Sequence, residues 1–397
     1  MKRFYWFKTI LLLCLMAHIQ GFTQVASPLS QQAQISLLTG SPSDDYVFTL
    51  YGHTAIRVYD PAIKLDRVYN YGSFDFSQPN FIYRFAKGET DYKLEAKDFI
   101  YFFMEYKDRG SEIYEQVLNL LPEEKEALWQ ALEWNRQPEN REYRYNFFFD
   151  NCATRPAFMI ENNIKGFICY APATVFPTFR DVINSCTRNH PWITFGCDLV
   201  VGLPSDRMMT LQETFFIPDY LKNAFDKAEI IREDITVPLV KQTNILTHES
   251  LKPDFLILFP PTPFTAFILL FILILLCSFI EWRRKTYYRL LDIILFLTAG
   301  LAGCIIFFLS FLSVHPCMFP NINLLWLHPL HLIGIIFFAV KKWKKAAFWY
   351  HFINFAVVIC MCAGWFIIPQ HFNIAFIPLI ASLLLRSGGS LLRKRYI

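Results

Sequence analysis

Apolar and polar positions divide the chain into two unlike parts. From 264 to the C-terminus, Phe, Leu and Ile crowd into five runs, at about 264–281, 290–313, 324–340, 347–368 and 373–386. Most approach the roughly 20 residues that span a bilayer, so 264–397 reads as an all-α bundle of about five transmembrane helices. The last run is short and is expected to tilt, to re-enter or to continue past Arg386. A shorter apolar run at 10–17 follows Lys2, Arg3 and Lys8, which makes 1–22 a secretory signal peptide or an N-terminal anchor.

Between these, 23–250 alternates on a finer scale and reads as one α+β domain, with 251–263 as a linker. Tyr51-Gly52-His53-Thr54-Ala55-Ile56-Arg57-Val58 alternates and becomes β-branched, as a strand does. Asp60-Pro61 turns the chain, and Arg67-Val68-Tyr69-Asn70-Tyr71 is the expected hairpin partner. Leu121-Pro122-Glu123-Glu124 opens a helix with Leu128, Trp129 and Leu132 as its apolar stripe. Tyr143-Arg144-Tyr145-Asn146-Phe147-Phe148-Phe149 reads as an aromatic strand running into Asp150-Asn151-Cys152-Ala153-Thr154-Arg155-Pro156. Pro is tolerated only in the first turn of a helix, which puts Cys152 at or just before a helix start. From about 241 to 263 the chain reads as a Pro-containing connector.

Charge orients the bundle. Arg283, Arg284, Lys285 and Arg289 follow the first span, Lys341, Lys342, Lys344 and Lys345 the third, and Arg393, Lys394 and Arg395 the last. The loops 315–323 and 369–373 carry no Lys or Arg. Basic loops stay cytoplasmic, so the α+β domain faces outward, as a signal peptide also requires. The net charge of +4 hides an ectodomain of about −9, which argues against nucleic acid and against simple adhesion to anionic lipid.

Four cysteines, Cys152, Cys169, Cys186 and Cys197, face an oxidising compartment. Cys186 and Cys197 are either a disulfide or two buried thiols. Cys152 at a helix start gains thiolate character from the helix dipole. Its candidate base is His53, the only histidine between His18 and His190. Asn70 or Tyr71 would orient the imidazole, and backbone N–H groups near Cys152, with Asn151 or Arg155, would support an oxyanion. Competing structural readings exist for each. Most cysteines are buried hydrophobes, strand histidines are commonly structural, and Arg57 and Arg155 read first as ion-pair residues. His315, His328 and His331 lie near outer span ends and read as polar helix caps rather than a metal cluster, since no further ligand set accompanies them. No metal, nucleotide or other cofactor is signalled.

Several of these segments together resemble one family. Tyr51 to Val58, Val68-Tyr69-Asn70-Tyr71-Gly72-Ser73-Phe74-Asp75-Phe76, and Tyr145 to Pro156 with its Asn-Cys step are similar to Lnb-type sequences. So are Pro191-Trp192-Ile193-Thr194-Phe195-Gly196-Cys197-Asp198-Leu199-Val200-Val201-Gly202, Pro320-Asn321-Ile322-Asn323-Leu324-Leu325-Trp326 and Pro329-Leu330. The order of a strand histidine before an Asn-Cys helix start also resembles a circularly permuted papain-like fold of the lecithin:retinol acyltransferase kind.

The resemblance implies a multi-pass protein of the bacterial inner membrane with its catalytic domain in the periplasm. It implies a lipoprotein N-acyltransferase that takes an acyl chain from a membrane phospholipid, holds it on Cys152, and passes it to the α-amine of a diacylated lipoprotein. The alternative is a membrane-anchored papain-like cysteine hydrolase, whether peptidase, amidase, phospholipase or thioesterase. Five spans exceed what an anchor needs, which weighs against a simple wall hydrolase.

Overall fold

The computed structural model describes residues 28–172, 176–233, 235–248 and 262–392. The expected signal segment 1–22, nearly all of the linker 251–263 and the basic cluster 393–395 lie outside the described residues.

The ectodomain strands begin with β1 (Gln34–Gly40), β2 (His53–Asp60), β3 (Leu65–Ser73), β4 (Asp91–Asp98), β5 (Ile113–Leu118) and β6 (Glu142–Arg144). They continue with β7 (Phe167–Cys169), β8 (Glu229–Arg232), β9 (Ile235–Pro238) and β10 (Val240–Thr247). Seven form an antiparallel sheet in the order β10-β5-β1-β2-β3-β4-β6, and β7-β8-β9 form a small second sheet. The helices are α1 (Phe81–Lys87), α2 (Phe99–Arg109), α3 (Pro122–Asn135), α4 (Thr154–Glu161), α5 (Phe179–Thr187), α6 (Pro191–Val200), α7 (Leu211–Thr214) and α8 (Pro218–Asp226).

Strand alternation gives the large sheet two apolar faces. On one, Ile35, Leu37, Ile56, Val58, Tyr69 and Tyr71 pack against Leu128, Trp129 and Leu132 of α3, with Ala157 and Ile160 of α4. On the other, Leu38, Ala55, Val68 and Ile113 pack against Phe102 and Tyr106 of α2. The β2–β3 hairpin forms as expected, with Ile56 opposite Tyr69. Buried Asp60 holds its turn by accepting from the Ala62 N–H at 3.0 Å and from Ser30 N–H at 2.6 Å. Arg57 is indeed an ion-pair residue, bonded to Asp66 at 2.7 Å and Glu115 at 2.9 Å.

Two expected segments differ. The run 143–149 is strand only over Glu142–Arg144. Beyond it the Asn146 side chain accepts the N–H groups of Phe148 (3.1 Å) and Phe149 (3.2 Å), closing an Asx-type turn. Phe147 and Phe148 then pack among Phe179 and Phe216 instead of in a sheet. Conversely, the start of the expected connector, Lys241 to Thr247, belongs to β10, hydrogen-bonded to β5 at the sheet edge. Its Lys241, Gln242 and Thr243 are exposed, which suits an edge strand and erases the apolar alternation.

The membrane half comprises α9 (Pro263–Arg284), α10 (Arg289–Phe311), α11 (Leu330–Ala339), α12 (Lys344–Ala363) and α13 (Phe376–Leu392). Among the described residues four helical segments are long and apolar enough to cross a membrane, the third being Ile322–Ala339, a 3₁₀ turn leading into α11. The shorter α13 runs past Arg386, because that guanidinium is neutralised inside the bundle. It bonds Glu281 at 2.5 Å and Ser278 at 2.9 Å, and pairs with Asp292.

The loops without Lys or Arg are those that meet the ectodomain. Gly202 N–H donates to the Cys317 carbonyl at 2.7 Å, and the Asn373 side chain to Asp198 at 2.8 Å. The joint is α6. Buried Arg180 pairs with Asp198 at 3.0 Å and Asp206 at 2.7 Å, while Asn321 and Asn323 donate to the last carbonyls of α6. Gly202 is required by close approach, since a Cβ there would lie 2.4 Å from the Pro320 carbonyl oxygen. The basic clusters that follow α9 and α11 therefore sit at the end of the bundle away from this joint.

Cys186 and Cys197 are free thiols, which corrects the disulfide alternative. Both pack on the aromatic cluster of Phe148, Phe179 and Phe216, and Cys197 bonds the Tyr51 hydroxyl rather than a second sulfur. Burial pushes both thiols above their ordinary pKa.

Candidate active site

His53 opens β2 on the sheet face covered by α2, and the parity of β3 places Asn70 on that same face. The two side chains meet, His53 Nε2 lying 2.6 Å from Asn70 Oδ1. With Nε2–H donating to the amide, Nδ1 is left for the Cys152 thiol, with which the imidazole shares a hydrogen bond. Tyr71 points to the opposite face, where it donates to Asn135 Oδ1 at 2.6 Å and takes no part in orienting His53.

Cys152 stands two residues ahead of α4, in the turn after the Phe run. Asn151 shapes that turn. Its Oδ1 accepts the N–H groups of Ala153 (2.8 Å) and Thr154 (3.0 Å), and the Thr154 hydroxyl accepts the Asn151 N–H at 2.8 Å. The Asn151 amide also donates to the carbonyls of Phe147 and Phe216, both at 2.8 Å. This buried side chain is fully engaged, so it supports the turn and is not a free oxyanion donor. Arg155 likewise faces away. It clamps Asp150 at 2.5 and 2.8 Å, lies 3.6 Å over the Tyr143 ring, and lines a separate cleft with Trp134 and Phe158.

The electrostatics of the pair are mutual. Burial alone would raise the Cys152 pKa, but the His53 charge and hydrogen bond, with the backbone N–H groups of Thr54 and Cys152, hold it below the ordinary thiol value. Burial alone would lower the His53 pKa, and Cys152, Asn70 and Glu105 together hold it above the ordinary imidazole value. The combination favours thiolate beside imidazolium.

Pair and amide line a cavity of about 340 Å³ with Phe48, Phe74, Glu95, Glu105 and Arg109. Its α2 residues carry no motif: Glu105 and Arg109 are four apart and pair with each other, a pattern common on any exposed helix. Gly72 is another residue that the pattern of hydrophobic and polar positions did not single out. Its φ is +96°, and a Cβ there would lie 3.3 Å from Cys152 Cβ and 3.9 Å from His53 Cε1.

The histidines near the outer span ends do not converge. His315 bonds the Phe85 carbonyl at 2.6 Å, while His328 stacks on His331, which bonds the Trp326 carbonyl at 2.9 Å. Among the described residues no three His, Cys, Asp or Glu side chains form a metal-binding group.

Residues 30–184 match the family model described as the Lnb N-terminal periplasmic domain, and residues 254–396 match that of the Lnb transmembrane domain. The chain belongs to the Lnb family. As an Lnb protein it is a multi-pass membrane protein with a periplasmic α+β domain, and a membrane-anchored enzyme of lipoprotein maturation. Family membership points to acyl transfer as the class of reaction. No curated protein and no solved structure gives a significant match.

Proposed function

We propose that this Lnb protein is a lipoprotein N-acyltransferase working through an S-acyl enzyme on Cys152. The observation that carries the reading is the Cys152–His53–Asn70 chain, lining a cavity in a domain docked on the outer end of a helical bundle. His53 takes the thiol proton, and the thiolate attacks the carbonyl carbon of a phospholipid ester. A C–S bond forms, the ester C–O bond breaks, and the lysophospholipid oxygen leaves with the proton held by His53. The Cys152 backbone N–H is the candidate donor to the oxyanion.

The acceptor amine then attacks the thioester. A C–N bond forms, the C–S bond breaks, and the thiolate returns while His53 takes up the amine proton. An α-amino group has a reference pKa of about 7.7–8.0, so a usable fraction is neutral near pH 7. The order strand-histidine, asparagine, helix-start cysteine also supports a permuted papain-like descent for the domain. No cofactor enters the scheme.

The test is mass spectrometry of a native lipoprotein's N-terminal cysteine, from cells dependent on wild-type protein or on Cys152→Ala. Diacylated lipoprotein with a free α-amine in the mutant is the expected result. Unchanged triacylation would sink the lipoprotein assignment and bring the hydrolase alternative forward.

A further inference from the structure

Leaving the cavity along its Phe48–Phe74 wall, the surface remains aromatic. Phe74 contacts Phe48 at 5.7 Å, Phe76 at 4.8 Å and Phe81 at 5.8 Å between ring centroids. Phe81 leads along α1 to Phe85 at 6.3 Å. There the ectodomain touches the outer end of α10 and the loop after it. Tyr83 lies 5.9 Å from Phe308, Val314 N–H donates to the Lys87 carbonyl at 2.9 Å, and His315 bonds the Phe85 carbonyl. A continuous apolar strip thus joins the nucleophile's cavity to the end of a transmembrane helix.

The strip is also open on its outer side. Ile82 is 81% exposed and Phe76 66%, with Tyr83, Phe85 and Phe48 each about half exposed. Single exposed apolar residues are ordinary, but a contiguous set of this size marks an interaction surface. Its position selects the occupant. Phe308 and Val314 end the span at the outer leaflet, the level at which aromatic side chains sit in membranes. An ectodomain of about −9 has little electrostatic attraction for anionic lipid, which leaves apolar contact to hold α1 against the bilayer.

We infer that α1 and the Phe74–Phe76 segment dip into the outer leaflet and deliver one acyl chain of a bilayer phospholipid to Cys152. The strip replaces bilayer contacts of the chain with aromatic ones along its whole route, so the ester reaches the thiolate without exposing the chain to water. This inference rests on the acyl-enzyme reading above and adds to it the path and the element that makes it.

The experiment compares full-length wild type with the double variant Phe76→Ser/Ile82→Ser in phospholipid nanodiscs without acceptor. Neither residue lines the cavity. S-acylation of Cys152 is followed by intact mass, first from the nanodisc phospholipid and then from water-soluble p-nitrophenyl butyrate. With the soluble ester the same C–S bond forms and nitrophenolate leaves. The bilayer rate is expected to fall about tenfold or more in the variant, because two apolar anchors are lost, while the soluble-ester rate stays near wild type. Phe76→Leu/Ile82→Leu is expected to restore the bilayer rate. An unchanged bilayer rate overturns the inference, and so does equal loss with both donors, which would mean a damaged site. Wild type that acylates from the soluble ester and never from phospholipid overturns the choice of donor. Wild type that acylates from neither overturns the acyl-enzyme reading itself.

Discussion

Replacing Gly72 by alanine would put one methyl group beside both Cys152 and His53, the proposed nucleophile and base. The backbone sits at φ +96°, where an L side chain is strained by about 1–3 kcal/mol. The added Cβ would also lie 3.3 Å from Cys152 Cβ, inside the roughly 3.5–4.0 Å optimum for carbon contacts, so the thiol must retreat by a few tenths of an ångström. A misplacement of about 1 Å at a reacting centre costs about a hundredfold, and a few tenths correspondingly about tenfold. Gly72→Ala is therefore expected to lower the melting temperature moderately and to slow Cys152 acylation per folded molecule by about tenfold. Thermal unfolding in detergent gives the first quantity and intact-mass kinetics the second. Wild-type acylation by the folded variant would refute the placement of Gly72 against the pair.

Asn70→Ala removes a hydrogen bond to a charged imidazole, worth about 1.5–3 kcal/mol, so acylation should slow by about ten- to a hundredfold. Tyr71→Phe should cost only about 1 kcal/mol of stability, measured by denaturant unfolding, with acylation unchanged per folded molecule, because its hydroxyl serves Asn135 on the far face. Alkylation of Cys152 by iodoacetamide should rise with pH through a value below the ordinary thiol pKa. In His53→Ala that limb should move upward, since burial then acts without the opposing imidazolium. The acyl-transfer rate should also fall at high pH as the pair loses its second proton, at a value above the ordinary imidazole pKa. Arg180→Ala strands the buried carboxylates of Asp198 and Asp206, and should cost about 3–5 kcal/mol, read as loss of folded, inserted protein.

The legible parts of this protein are those where one periodicity dominates. Alternation around His53 and Asn70 marked the hairpin that brings them together, and the Leu128–Trp129–Leu132 stripe marked the helix behind it. The contrast between basic and uncharged loops oriented the bundle, and the uncharged loops are the ones that clasp α6. The failures have equally local causes. An Asn side chain can replace a ladder bond, so Asn146 turned an aromatic run that reads as strand. A polar edge strand has no apolar face to announce it, so β10 looked like linker. Arg386 reads as a span's end unless Glu281 and Asp292, about a hundred residues earlier, are known to meet it. Nothing short of the fold brings Glu105 of α2 beside His53 or aims Arg155 at Asp150.

The central claim is an acyl group carried on Cys152. Intact-mass analysis of the full-length protein in phospholipid nanodiscs, without acceptor, tests it most directly. The account predicts an adduct of one fatty acyl chain, removed by hydroxylamine, absent in Cys152→Ala, and discharged when a diacylglyceryl-cysteine peptide is added. Transfer to that peptide by folded Cys152→Ala protein at the wild-type rate would contradict it.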